Sequence, residues 1–304
     1  MLLYLVRHGQ TQLNQQGIIQ GRLDFPLSEL GEEQAQKLGD WLKMVPLHQV
    51  LSSPLKRAHD TARIVCAQQA KAKLHIDERL TATSAGQAEG RPWEEIKDKF
   101  DDMGCEPDEE IAERLHSWLS SLLTTHTPQT SGAATPISPL TPTSASASAS
   151  AGPASPVLER ALSSIKGLPR PGILRTPSKE TNHTGGKGVV LVVTHQECIS
   201  ALLKLLTKPS ISPTAHGAGV DGAQAETDTQ MQLAKSPIDL HVPEQFDFVH
   251  TEDGRQIGNT AVAIVRVWWE DSGRPDGEGL EVRGRLEAWG SEEHLQDQWS
   301  VMSV

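Results

Sequence analysis

The first apolar run of the chain, Leu2-Leu3-Tyr4-Leu5-Val6, stops abruptly at Arg7-His8-Gly9. So short a run predicts a buried strand. A later run, Gly188-Val189-Val190-Leu191-Val192-Val193-Thr194-His195, is rich in β-branched residues and apolar on both faces. That is the pattern of a central strand in a parallel sheet, and it too ends on a histidine. Shorter strands are predicted at Val50-Leu51-Ser52-Ser53-Pro54, at Lys73-Leu74-His75-Ile76-Asp77 and over 261–269, with a last edge strand over 284–289. Between them the apolar period changes from two to about 3.6. Ala35, Leu38, Leu42 and Val45 mark a helix opened by Ser28 and ended by Pro46. Residues 55–65 follow as another. Ile111, Leu115, Trp118, Leu119 and Leu122 mark a third, and Ile199, Leu202, Leu203 and Leu206 a fourth. Strands alternating with helices predict an α/β fold with a mostly parallel sheet.

Two stretches break the pattern. Residues 126–187 are dominated by Ser, Thr, Ala, Pro and Gly, and include the repeat Ser144-Ala145-Ser146-Ala147-Ser148-Ala149-Ser150. Such a segment buries too little apolar surface to offset its chain entropy, so disorder is expected, with a transient turn at 157–168. A second, polar insert is expected over 209–249. The organisation is then one domain over 1–290, interrupted twice, with a tail over 291–304. Thr135, Ser138, Thr141 and Ser155 each precede proline. They would suit a proline-directed kinase as partner, although such dipeptides are common in tracts of this composition.

Among the 304 residues the formal charge is −11, and no basic stripe appears, which argues against nucleic-acid binding. Cys66, Cys105 and Cys198 form neither a metal pair nor a disulfide framework, so free thiols in a reducing compartment are expected. Met1 leads directly into the first strand without a charged leader, and no apolar run reaches membrane-spanning length. A cytosolic protein is expected, without membrane contact, metal or cofactor.

The chemistry sits where the strands stop. In open α/β sheets, ligands bind at the carboxyl ends of the strands. Arg7 offers a planar fork of donors that matches phosphate oxygens, and a neutral His8 has a lone pair able to attack phosphorus. Thr11 and Asn14 add a hydroxyl and an amide to the same turn. Gln20 and Gly21, with Arg22, are placed to rim a site or to be a plain connector. Arg57 lies in the first turn of the helix after the second strand, where it either joins an anion site or is solvated. Parallel strands ending on one side would bring Arg7, His8, Arg57 and His195 together. Two guanidiniums and a second imidazole would stabilise charge on a transferring phosphoryl group.

These residues resemble the histidine phosphatase superfamily, also called phosphoglycerate mutase-like. The matching stretches are Leu5-Val6-Arg7-His8-Gly9-Gln10-Thr11 with Asn14, Pro26-Leu27-Ser28-Glu29-Leu30-Gly31, Ser52-Ser53-Pro54-Leu55-Lys56-Arg57-Ala58, Val192-Val193-Thr194-His195 and Gly258-Asn259-Thr260. The resemblance implies a three-layer α/β/α fold and a phosphomonoesterase in which His8 is the phosphorylated nucleophile. Arg7, Asn14, Arg57 and His195 would hold the phosphoryl group, with Gln20 and Gly21 at the substrate. Gly17-Ile18-Ile19-Gln20-Gly21 is similar to the fructose-2,6-bisphosphatase branch that includes the apoptosis and glycolysis regulator. That branch implies fructose-2,6-bisphosphate or a bisphosphoglycerate as substrate and a regulatory role in glycolysis.

One position departs from the family. The glutamate that usually protonates the leaving oxygen is replaced by Ala82, in a frame set by Leu80 and Gly86-Gln87-Ala88-Glu89-Gly90. A general acid is typically worth ~10²–10⁴ in rate. Either Glu89 or another carboxylate serves, or the chain is a catalytically weak or inactive phosphate-binding regulatory relative. A true mutase is a third reading that no residue singles out.

Overall fold

The computed structural model describes residues 1–128, 188–207, 236–272 and 279–296. Most of the first insert and residues 209–235 of the second lie outside the described residues, as do the four proline-directed sites.

Seven strands form one sheet: β1 (Leu2–Arg7), β2 (Gln49–Ser52), β3 (Lys73–Ile76), β4 (Val189–Thr194), β5 (Asp239–His241), β6 (Val262–Asp271) and β7 (Leu280–Ser291). Their order is β3-β2-β4-β1-β6-β7-β5. Strands β3, β2, β4 and β1 pair in parallel, and β6 runs antiparallel to both of its neighbours. β4 is buried at all six positions, as an apolar run on both faces requires.

The helices are α1 (Gln12–Gln15), α2 (Glu29–Leu42), α3 (Lys56–Ala67), α4 (Trp93–Ile96), α5 (Asp108–His126) and α6 (Gln196–Thr207). Leu3, Leu5, Val190 and Val192 join one core with Leu115, Trp118 and Leu119 of α5 and Ile199, Leu202 and Leu203 of α6. Successive strand side chains alternate between faces. Tyr4, Val6, Leu191 and Val193 therefore point to the other side, where α2 and α3 pack together and α3 contacts β2 and β4. The result is the three-layer α/β/α arrangement.

Ser28 caps α2 by accepting the Gly31 N–H at 3.1 Å, and Glu29 and Glu32 occupy its first turn, at the positive end of the helix dipole. The same turn is pressed against the loop that follows β1. A Cβ on Gly31 would lie 2.0 Å from the Gln10 carbonyl oxygen, and one on Gly9 would lie 2.6 Å from the Gly31 carbonyl oxygen. Both glycines are there for that approach of backbone to backbone.

Three expectations change. The polar stretch over 209–249 ends in structure, because Asp239–His241 pairs with β7 and Ile238 and Val249 are buried. A three-residue strand has too little apolar periodicity to register in sequence. The edge strand expected over 284–289 is longer and lies inside the sheet, between β6 and β5. The tail expected from 291 begins with packed residues: His294 is buried, 2.9 Å from the Thr260 hydroxyl, and its ring stacks obliquely near Trp41.

Candidate active site

Register brings the two histidines together. Arg7 is the partner of Thr194 in the parallel pairing of β1 with β4, so His8 and His195 each lie one residue past paired ends. The His8 N–H donates to the Thr194 carbonyl at 3.0 Å, and the two imidazole centroids are 5.2 Å apart. Both rings are buried, at 4% and 1% exposure.

The His8 ring is oriented by its own turn. Its Nδ1 lies 2.7 Å from the Gly9 carbonyl oxygen, an acceptor, so the proton resides on Nδ1. Nε2 then carries the lone pair. Burial, reinforced by the charges of Arg57 and Arg7, holds the His8 pKa well below its usual 6.5, and the imidazole is neutral at neutral pH. Burial and Arg57 do the same to His195. Its Nε2 lies 2.8 Å from the Ser53 hydroxyl. In the tautomer in which Ser53 donates, the ring proton sits on Nδ1, which is buried without a partner among the described residues.

Arg57 is only 2% exposed, which rules out the solvated-helix reading. Nη1 donates to the Leu23 carbonyl and Nη2 to the Gly21 carbonyl, both at 2.7 Å. Burial lowers its pKa to about 10, which leaves it a cation at neutral pH. Arg7 Nη1 donates to the Ile257 carbonyl at 2.7 Å. The Nε atoms of both arginines are buried and unpartnered among the described residues. Unsatisfied buried donors of this kind cost ~1–3 kcal/mol each, and an anion satisfies them. Arg7, His8, Arg57 and His195 line a single open cavity of about 870 Å³.

Neighbouring loops fix this group. Thr11 caps α1 and closes a reciprocal capping box with Asn14. The Asn14 Oδ1 accepts the Thr11 N–H, so the amide NH₂ is what Asn14 can offer a ligand. Gln20 is buried, accepts the Thr11 hydroxyl at 2.9 Å, and lines the cavity with Gly21 and Asn14. Asn259 donates to the His8 carbonyl at 3.0 Å, and the Thr260 N–H donates to the Arg7 carbonyl at 3.0 Å. Thr260 does this from φ 58°, a conformation costly for a β-branched residue. Gln196, which no pattern along the chain singles out, ties α6 to the loop behind Arg7. Its amide donates to the Arg255 carbonyl at 3.0 Å and accepts the Ile257 N–H at 2.8 Å.

Glu89 is placed differently from expectation. Its Oε1 accepts the Arg22 N–H at 2.9 Å and the Ala85 N–H at 3.1 Å, and it is not among the residues lining the cavity. A Cβ on Gly21 would fall 2.2 Å from that oxygen, so Gly21 is needed to let the loop close over the carboxylate. Glu89 is a clamp for the 21–22 turn, which carries the carbonyl that Arg57 grips. Ala82 does line the cavity, as its place in the frame implies. So does Glu106, which sequence reasoning passed over. Its carboxylate is held by Arg114 Nε at 2.8 Å, by Arg22 at 3.3 Å and by the Ser84 N–H at 3.1 Å. Although burial opposes it, this set of donors pulls the Glu106 pKa below the usual range and keeps the group ionised.

Residues 3–134 match the profile of the histidine phosphatase superfamily (branch 1). Two "Probable phosphoglycerate mutase GpmB" proteins are similar over 135 residues, that of Salmonella paratyphi A at 32% identity and that of Salmonella arizonae at 33%. Each alignment covers 40% of this chain and 62% of the relative, so the chain spans about three fifths of the length of the curated relatives it matches. Among solved structures, "Mycobacterial hydrolase 1" is similar with a TM-score of 0.55 and 20% identity, over 95% of this chain and 98% of that one. A mycobacterial glucosyl-3-phosphoglycerate phosphatase in complex with VO3 gives 0.53 and 21%, over 96% and 99%. At these identities the structures speak for the fold alone.

Proposed function

We propose that this chain is a phosphomonoesterase that works through a phosphohistidine on His8. The observation that carries the reading is the pairing of two buried neutral imidazoles with the buried Arg57 and half-buried Arg7 guanidiniums around one cavity. His8 Nε2 would attack phosphorus in line with the leaving oxygen. Arg7, Arg57, His195 and Asn14 would donate to the three equatorial oxygens, where charge accumulates. Water would then take the phosphoryl group from nitrogen and restore His8. The substrate class is a small phosphorylated metabolite, since the cavity is concave and its cations are few. Fructose-2,6-bisphosphate or a bisphosphoglycerate, with a role in regulating glycolysis in the cytosol, is the finer form of this reading. It rests on Gly17-Ile18-Ile19-Gln20-Gly21, whose last four residues line the cavity, and on the phosphoglycerate chemistry named for two of the relatives. No helix among the described residues is long and apolar enough to cross a membrane.

The test is a single-turnover experiment with a ³²P-labelled aryl phosphate. The native chain is expected to retain label that is stable to base and lost in acid, and His8→Ala to retain none while staying folded. Turnover by pure His8→Ala would overturn the assignment. Ala82 supports the second reading, a regulatory phosphate-binding protein. Phosphate binding with no label on His8 would favour it.

A further inference from the structure

One part of the cavity is of no use in holding a phosphoryl group. Next to Gln20 and Gly21 its lining turns apolar, with Ile18, Ile19, Ala82, Ala85, Trp93 and Phe100. Backbone bonds lace the 17–21 loop to the segment that enters α4. The Ile19 N–H donates to the Arg91 carbonyl at 3.0 Å, the Gly90 N–H to the Ile19 carbonyl at 2.8 Å, and the Trp93 N–H to the Gly17 carbonyl at 3.0 Å. Ile18 and Pro92 form an antiparallel bridge. The wall is thereby joined to Gly21, whose carbonyl accepts from Arg57 Nη2 at 2.7 Å. Ile18 and Gly21 are three residues apart, a span of at most ~11 Å, so the wall begins beside the phosphoryl pole. Trp93 is 43% exposed, and Phe100 meets it edge to face, with ring centroids 5.3 Å apart at 69°. Phe100 and Ile19 pack in turn on a small core of Ala85, Ala88, Ile96 and Met103, which backs the wall. An exposed tryptophan by itself is ordinary surface. Here it shares one cavity with the guanidiniums and imidazoles of the site, where a ligand that reaches them can also cover it.

We propose that the substrate is an aryl phosphate, whose ring sits against Trp93 and Phe100 while its phosphoryl group meets His8, His195, Arg7 and Arg57. The proposal rests on the phosphohistidine reading above and sets an aromatic ring in place of the sugar of its finer form. The hydroxyls of a sugar would face apolar side chains along this wall and lose the partners that water gives them. A planar ring needs no such partners, and it offers Trp93 the offset or edge-to-face contact that aromatic pairs prefer. The ester type suits the same wall. Ala82 and Ala85 have no proton to give a leaving oxygen, and a phenolate departs without one more readily than an alkoxide. In the transfer, the His8 Nε2–P bond forms and the P–O bond to the ring breaks. The electron pair of that bond leaves on the phenolate, which solvent water protonates.

Phosphonates separate recognition of the ring from its reactivity, because a P–C bond is not broken in the transfer. The full chain, Trp93→Ala and Trp93→Phe are titrated by calorimetry with benzylphosphonate, the isostere of phenyl phosphate, with methylphosphonate, and with a phosphonate isostere of a hexose phosphate. The quantity read is the ratio of benzyl to methyl affinity within each chain, which cancels any change at the phosphoryl pole. The native ratio is expected to be ~10–10², the gain from covering one ring. Trp93→Ala should bring it most of the way to one, and Trp93→Phe, which restores a ring, should keep most of it. The hexose isostere should bind the native chain no better than methylphosphonate. A native ratio near one, a ratio undiminished in Trp93→Ala, or a hexose isostere bound as tightly as benzylphosphonate each overturns the proposal and leaves the phosphohistidine reading standing. A native chain that binds neither the phosphonates nor inorganic phosphate defeats the phosphoryl site and this inference with it.

Discussion

Arg57→Lys tests the central electrostatic claim because it changes geometry before it changes formal charge. The guanidinium does two jobs: Nη1 and Nη2 hold the Leu23 and Gly21 carbonyls, and Nε remains for the cavity. A lysine has one nitrogen and no fork, so it can keep a carbonyl or face the phosphoryl group, but not both. Its charge is also insecure. The burial that lowers the Arg57 pKa to about 10 would lower that of a lysine ammonium as well. Leaving one buried carbonyl unpaired costs ~1–3 kcal/mol of stability. Losing one preorganised donor at a developing oxyanion typically costs ~10²–10³ in rate. Urea unfolding and rapid-quench phosphorylation of His8 by an aryl phosphate should show both effects. Native stability together with a native phosphorylation rate in Arg57→Lys would refute the reasoning, since the fork would then hold neither the loop nor the phosphoryl group.

Two further outcomes follow from packing and burial. Gly31→Ala would gain ~1 kcal/mol in an isolated helix, but here the new Cβ meets the Gln10 carbonyl at 2.0 Å. A net loss of ~1–3 kcal/mol in urea unfolding, with slower labelling of His8, is expected; a more stable variant would show that the loop gives way freely. His8, His195 and His294 all have pKa values lowered by burial, His294 to about 4. They are neutral when folded, whereas the unfolded chain binds protons below 6.5. Their contribution is therefore complete above pH 6.5 and is lost as pH falls toward the folded values, with His294 alone accounting for about 3 kcal/mol by pH 4. Unfolding midpoints should be level from pH 8 to 7 and fall below 6.5. His294→Gln should flatten that fall, and an unchanged slope would contradict the assignment.

How much of this was legible in the sequence depended on whether the signal was local. An apolar strand that stops on Arg7-His8-Gly9, and another that stops on Thr194-His195, are local patterns, and their common end follows from parallel pairing. So is the seryl cap of α2. The Glu106–Arg114 pair and the Gln196 bonds join residues on different elements, and no spacing in the chain marks them. Glu89 shows the limit from the other side. Its position in a recognisable frame made it a candidate acid, yet the frame specifies neighbours along the chain and says nothing of direction. The turn at Gly21, 68 residues earlier by number, claims its carboxylate.

The sequence by itself determined every strand but β5, the four longer helices and the chemical character of the strand ends, because periodicity and side-chain type need no partner. Tertiary structure alone decided the register that sets His8 beside His195. It also decided the burial that keeps both rings neutral and lowers the Arg57 pKa to about 10, the use of 238–249 and 291–296 in packing, and which carboxylates face the cavity. Each of these depends on the distance and desolvation between groups far apart in the chain, quantities that exist only once it has folded.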